Sequence, residues 1–244
     1  MILVSPELCA PGTAGLLCGE EGNLTRRGAM GLLVVGTGLL VSGCALISGE
    51  STYRFRMTVE VQTPQGLKSG SSVMEVSAAK QVLMTSETHP ISAGLKGEAV
   101  VVDLPGGPIF ALLTIRGDSG PLLFNVVTGA LNPLPTKTPG TEDYMRQTNE
   151  LAAMSEGART AELPRDNWPM MVRFRNLNDP MSVERVDPAA IGVKRIILTV
   201  TKEPVTVGIE KRLGWLDHLE QFRSDKSNPF TSSLPHEIGA LRSK

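Results

Sequence analysis

Aromatic residues make up only 4% of this 244-residue chain, with two Trp and two Tyr among them. Any core must therefore be aliphatic, built from Val, Leu, Ile and Met. Histidine is equally sparse. His89, His218 and His236 share no metal-ligand spacing, and each reads as a surface residue. There is no phosphate loop and no dinucleotide fingerprint, so no cofactor and no metal is expected. Neither sign of charge dominates: 24 basic residues stand against 25 acidic ones. That balance excludes the basic bias of a nucleic-acid surface. The only cysteines are Cys9, Cys18 and Cys44, too few for a disulfide scaffold. The clearest apolar run, residues 29–41, falls short of the roughly 20 residues that cross a bilayer as a helix.

That run nevertheless carries the strongest functional signal. Arg26 and Arg27 precede it, Gly31, Gly36 and Gly38 interrupt it, and Val41-Ser42-Gly43-Cys44 ends it. A basic start, a short apolar segment and small exit residues are the physical pattern of a secretory signal. Val41-Ser42-Gly43-Cys44 resembles the lipobox of bacterial lipoproteins, an aliphatic residue and two small ones before a cysteine. In that family the thiol receives a diacylglycerol, the signal is cut just before the cysteine, and the new amino end is acylated. The resemblance implies a lipid on Cys44 and a membrane as partner. Each buried methylene of such chains contributes about 0.8 kcal/mol. The residue after the cysteine steers sorting in the family, and Ala45 rather than an aspartate implies the periplasmic face of the outer membrane. Glu7, Glu20 and Glu21 lie upstream, where a signal's basic segment lacks acids, which places the expected translation start after residue 25. Thr25-Arg26-Arg27 is a weak match to a twin-arginine signal, so ordinary secretion is expected.

Removal of residues 1–43 takes away two arginines and three glutamates and leaves 22 basic against 22 acidic residues. It also takes Cys9 and Cys18. With Cys44 lipidated, the remaining domain has no free thiol, which excludes a thiol nucleophile and a cysteine-ligated metal. About 200 residues are enough for one sizeable core.

The mature chain opens with a short polar tether. Tyr53, Phe55, Met57, Val59 and Val61 then alternate with Arg54, Arg56, Thr58, Glu60 and Gln62. Period-two alternation predicts a half-buried strand. Thr63-Pro64-Gln65-Gly66 predicts a reversal, and residues 68–77 the return strand of a hairpin. Further strands are expected at 80–85, 95–104 and 109–116, joined by turns, which points to an antiparallel meander. Residues 122–131 fit a short helix or a strand. Thr141 followed by Glu142 and Asp143 opens a predicted helix to residue 155. Residues 168–174 and 193–201 read as strands, 176–187 as a loop and 188–191 as a turn of helix. Residues 205–215 are open to either reading, with a helix from Gly208 to Phe222 as one of them.

Two motifs invite catalytic readings. Gly117-Asp118-Ser119-Gly120-Pro121 resembles the nucleophile segment of trypsin-like proteases but lacks one glycine. His89 lies only 30 residues before Ser119, too close for a two-barrel protease; a turn with Asp118 or Ser119 as a cap is the better account. Ser77-Ala78-Ala79-Lys80 matches the Ser-x-x-Lys pattern of penicillin-recognising enzymes, but the partner motifs are absent and Lys137-Thr138-Pro139 does not substitute for one. Asp103 and Asp118 flank the predicted strand at 109–116. On residue type alone, Trp168, Arg212 and Trp215 are the best binding residues, because Trp and Arg are enriched at interface hot spots.

The expectation is an α+β, β-rich fold, an antiparallel sheet with a meander or sandwich-like layout and one or two helices in the C-terminal half. Residues 1–43 form the signal segment, 44–52 the lipid-anchored tether, 53–223 one globular domain and 224–244 a flexible tail. The expected role is binding to another cell-envelope protein without catalysis; a hydrolase with an unfamiliar active site is the alternative.

Overall fold

The computed structural model describes residues 49–80, 91–115, 122–132, 141–219 and 238–244. Cys44, His89, Asp118, Ser119, His236 and Lys137 through Pro139 lie outside the described residues, and so does the predicted strand beyond Lys80.

The alternating stretch is strand β1 (Glu50–Thr63), paired with β2 (Gly66–Lys80) from Glu50↔Ala79 to Thr63↔Gly66. Tyr53, Phe55, Met57, Val59 and Val61 are all buried, and the residues between them form the solvent-side face. At the turn, the Thr63 hydroxyl donates to the Gly66 carbonyl and accepts from the Gln65 N–H. Gly66 sits at φ +107°, where a side chain would be strained.

β1 is the centre of a six-stranded antiparallel sheet. On its other side lie β9 (Val193–Thr201) and then β6 (Thr160–Glu162); beyond β2 lie β3 (Ile91–Glu98) and β10 (Arg242–Ser243). A second antiparallel sheet runs β4 (Val100–Val102), β5 (Ile109–Ala111), β7 (Met171–Phe174), β8 (Val183–Val186). The two sheets come into backbone contact at Gly70 of β2. A Cβ built there would lie 1.9 Å from the Val101 carbonyl oxygen. Sheet-on-sheet packing at backbone distance is possible only without a side chain.

The inner face of the large sheet, one face of the small sheet and helix α1 (Leu123–Ala130) enclose the main core. Leu123, Val127 and Leu131, four residues apart, bring one helix stripe to it. Helix α2 (Thr141–Ala153) adds Leu151. The other face of the small sheet, with Phe110, Val172 and Phe174, is covered by a second apolar cluster from the C-terminal segment: Ile209, Leu213, Trp215, Leu216, Ile238 and Leu241.

The architecture is α+β and β-rich, as the sequence predicts. Several details differ. The expected strand over 95–104 is two pieces in different sheets, because Gly97 (φ +150°) packs against Met74 and turns the chain across. The first sheet is a meander only over β1–β2–β3; its other half comes from late in the chain. Residues 183–186, read as loop, form β8. Val-Glu-Arg-Val lacks strict alternation, and the strand is held by its ladder and by Glu184, which pairs with Arg173 and Arg175. The expected helix from Gly208 is two short 3-10 turns, Ile209–Lys211 and Leu216–His218, with Gly214 between them. The tether is shorter than expected, since β1 already begins at Glu50. Of the expected flexible tail, residues 224–237 lie outside the described residues, and the last seven are corrected: Ile238 and Leu241 are buried, and β10 pairs with β3. Two apolar residues three apart are too few to show periodicity, yet they suffice to plug the second cluster.

Candidate functional site

After β9 the chain crosses the face of the domain as an extended strap. Thr206 anchors it to β2: its N–H donates to the Val73 carbonyl at 3.0 Å, and its hydroxyl accepts from the Val73 N–H at 2.8 Å. Gly208, at φ +119°, then turns the chain into the first 3-10 turn. Glu98 fixes this turn. Its side chain is buried, with 4% of the residue exposed, and the carboxylate accepts from the N–H groups of Gly208 (3.0 Å) and Ile209 (2.9 Å). A carboxylate at the start of a helical turn satisfies donors that have no partner of their own.

The strap, the end of β3 and β10 enclose a cleft of about 420 Å³, within the usual range of ligand sites. Glu98 lies at its floor. Val205, Thr206 and Val207 form one wall, and 78% of Val207 is exposed. Arg242 forms the other wall and holds both remaining acids, Asp217 at 2.7 Å and Glu210 at 3.6 Å. Hydrogen bonding from Arg242 pushes the Asp217 carboxyl below its usual range. Lys96 and Lys244 line the rim without a salt bridge among the described residues. Every acid of the cleft is therefore already engaged. Asp217, with its carboxyl lowered, is not poised to donate a proton near neutral pH, which would require a raised one. What remains open is a valine wall and two lysines.

The residues selected by type take other positions. Trp215 belongs to the second cluster, tilted against Phe174 at 5.4 Å, with its indole N–H donated to the Leu177 carbonyl. Trp168 belongs to the main core; its N–H meets the Leu163 carbonyl, and the Arg165 guanidinium lies 5.4 Å from its ring. The two tryptophans are thus in separate clusters, each 8% exposed. Arg212 forms a two-pronged ion pair with Asp103 at 2.6 and 2.8 Å, which lowers the Asp103 carboxyl. Ser77 and Lys80 lie on β2, where residues three apart point to opposite faces, so they do not share the helix face that the penicillin-recognising pattern needs. His218 is exposed on the second 3-10 turn. Among the described residues there is no group of His, Cys, Asp or Glu able to hold a metal ion, and no helix long and apolar enough to cross a membrane.

No family model, curated protein or solved structure matches this chain. The site therefore has to be read from its own chemistry.

A second polar cluster lies in the main core. The Tyr53 hydroxyl meets the Thr128 hydroxyl at 2.8 Å, and Thr128 lies 3.4 Å from the Tyr144 hydroxyl. Burial pushes both tyrosines up, so both are neutral at ordinary pH and serve to join α1, α2 and β1. The cleft was missed in the sequence, although one signal pointed to it. Glu98 stands inside the apolar run 95–104, and a charge in a strand buried on both faces needs a partner. The partner proved to be backbone N–H groups 110 and 111 residues away, which no pattern of side chains reveals.

Proposed function

We propose that this chain is a lipid-anchored interaction domain of a bacterial cell envelope. Cys44 carries the lipid, on the periplasmic face of the outer membrane, and the cleft beside β10 receives an apolar segment of another envelope component. Only five residues lie between Cys44 and Glu50, the first residue of β1, so six Cα-to-Cα steps join them. Fully extended, they reach about 20 Å, so the domain stays beside the bilayer that holds it. The observation that carries the binding role is the state of the cleft: Asp217 and Glu210 are paired with Arg242 and Glu98 is bonded to backbone N–H groups, while its valines and two lysines line the opening. That arrangement favours holding a partner over proton-transfer chemistry.

Growth with a radioactive fatty acid tests the anchor. Label should appear on the protein and vanish in Cys44→Ser; no incorporation ends the lipid-anchored reading. The non-catalytic part is tested on the purified chain with generic ester and peptide substrates. Turnover that disappears in Ser119→Ala would replace this proposal with a hydrolase.

A further inference from the structure

The two helices sit on the main core in different ways. α1 brings Leu123, Val127 and Leu131 to it, and its buried Thr128 is bonded both to Tyr53 of β1 and to the Phe124 carbonyl of its own helix. α2 lies against β1 and β2, but the stripe it turns to them is half polar. Its buried residues are Met145, Gln147, Thr148 and Leu151, and of these four only Leu151 belongs to the main apolar cluster. Thr148 is fully enclosed and donates its hydroxyl to the Tyr144 carbonyl one turn back, a bond inside the helix. Gln147 is fully enclosed too, and neither its amide oxygen nor its amide nitrogen has a hydrogen-bond partner. Nearly every buried polar side-chain atom in a folded protein is bonded, and each exception calls for an explanation. Gln147 precedes Leu151 by one helical turn, so the orphaned amide shares the face that holds the helix to the core.

The two ends of α2 are held unequally. Toward its start, the Tyr144 hydroxyl lies 3.4 Å from Thr128 of α1, near the outer limit of a hydrogen bond. At its C-terminal end, Lys202 donates to the Ala152 carbonyl at 2.6 Å. Just beyond, the Thr201 hydroxyl donates to Glu156 at 3.0 Å, and the Gly157 N–H donates to the Val200 carbonyl at 2.9 Å. Gly157 stands at φ +70°, a conformation that glycine adopts without strain.

We infer that α2 is a lid on the main core. It lifts from β1 and β2 while its C-terminal end stays fastened to β9, and the chain bends between Ser155 and Gly157. The energetic case is the contrast with α1. Lifting α1 would strip three enclosed aliphatic residues from the core. Lifting α2 strips Met145 and Leu151, and it returns to water an amide whose burial is uncompensated. An enclosed amide without a bond is destabilising, and a methionine of similar volume would fill the same position without that penalty. The closed state therefore carries a cost that the open state lacks, so α2 opens more readily than the sheet beneath it unfolds. Elements that act as lids are drawn from the less stable end of a structure, and local rules broken without compensation are expected at functional sites. Opening uncovers apolar surface on the inner face of β1 and β2. The lid is independent of the lipid on Cys44 and of the cleft.

Native-state hydrogen exchange of the full chain in detergent tests the lid without a variant. Corrected for intrinsic rates, the amides of Gln147 to Leu151 should exchange at least tenfold faster than those of Phe55 to Val59 in β1. Urea below the unfolding transition should leave the α2 rates unchanged and speed the β1 rates, because a local opening exposes little surface. A smaller difference, or the same urea dependence in both elements, overturns the inference. Gln147→Met then tests the cause. Protection of the α2 amides should rise at least fivefold, since the closed state loses its unsatisfied amide. The β1 amides should gain by the same factor, because residue 147 is exposed in either opening. A smaller rise in α2 overturns the role given to Gln147.

Discussion

Gly70 and Tyr53 show how much single residues decide in this domain. A Cβ at Gly70 would lie 1.9 Å from the Val101 carbonyl oxygen and 2.7 Å from its carbon. Both are backbone atoms, so the two sheets would have to move apart. Gly70→Ala should cost about 3 kcal/mol by overpacking, or roughly 6–12 °C in Tm for a domain of this size, read as a lower urea midpoint. Tyr53 acts through its proton. Burial raises its folded-state pKa above the ordinary value near 10. The folded state therefore keeps a proton that the unfolded chain loses. Stability is fully present below about pH 10 and falls as pH rises further, by about 1.4 kcal/mol per pH unit for each such tyrosine. Tyr144 is shifted the same way. Tyr53→Phe should cost about 1 kcal/mol at neutral pH through the lost bond to Thr128, yet flatten the alkaline decline. Urea midpoints measured from pH 7 upward give both numbers; an unchanged alkaline slope would mean that Tyr53 ionises in the folded protein.

At the scale of elements, legibility in the sequence followed the strength of local pattern. β1 was readable because five apolar residues alternate without a break and all five are buried. β9 matches its predicted span, since Val193, Ile196, Leu198 and Val200 supply enough apolar residues on one face. The turn at Pro64 was readable because proline and glycine occupy the positions that the reversal demands. β8 and β10 were not, because they are short and are stabilised by their neighbours: Glu184 by two arginines, and Arg242–Ser243 by the end of β3. The cleft was illegible for a similar reason. Glu98, Thr206 and Arg242 come from three distant parts of the chain, and each is held there by a backbone group or an ion pair with no local signature. The aliphatic core, in contrast, followed from composition. What composition could not show is that the core is divided in two by the small sheet.

For the whole molecule, the second cluster depends on a few late residues. Leu241 accepts from the Ala99 N–H and Ala240 from the Leu113 N–H, both at 2.8 Å, while Ile238 and Leu241 cover Phe110 and Leu112. Ending the chain after Pro235 removes two buried aliphatic side chains, about 2–3 kcal/mol each, and two backbone bonds of about 1 kcal/mol each. The sum is comparable to the whole stability of an ordinary domain. The truncated chain should lose its cooperative urea transition and bind an apolar dye while keeping far-ultraviolet β signal. A sharp transition near the full-length midpoint would show that the segment only decorates the edge.

The central position of β1 has a consequence for how the chain is made. It is the first of the described strands to be synthesised, and one of its two neighbours, β9, is among the last: the Glu60–Arg195 pair closes a loop of 135 residues. The second cluster waits longer still, for Leu241. A chain emerging from the ribosome can form the β1–β2 hairpin at once, but it has nothing to lay on the other side of β1 until most of the protein exists. Pairings of such long range are slow to form. The polypeptide is thus held open during synthesis by its own topology, with one side of its central strand uncovered until β9 has emerged.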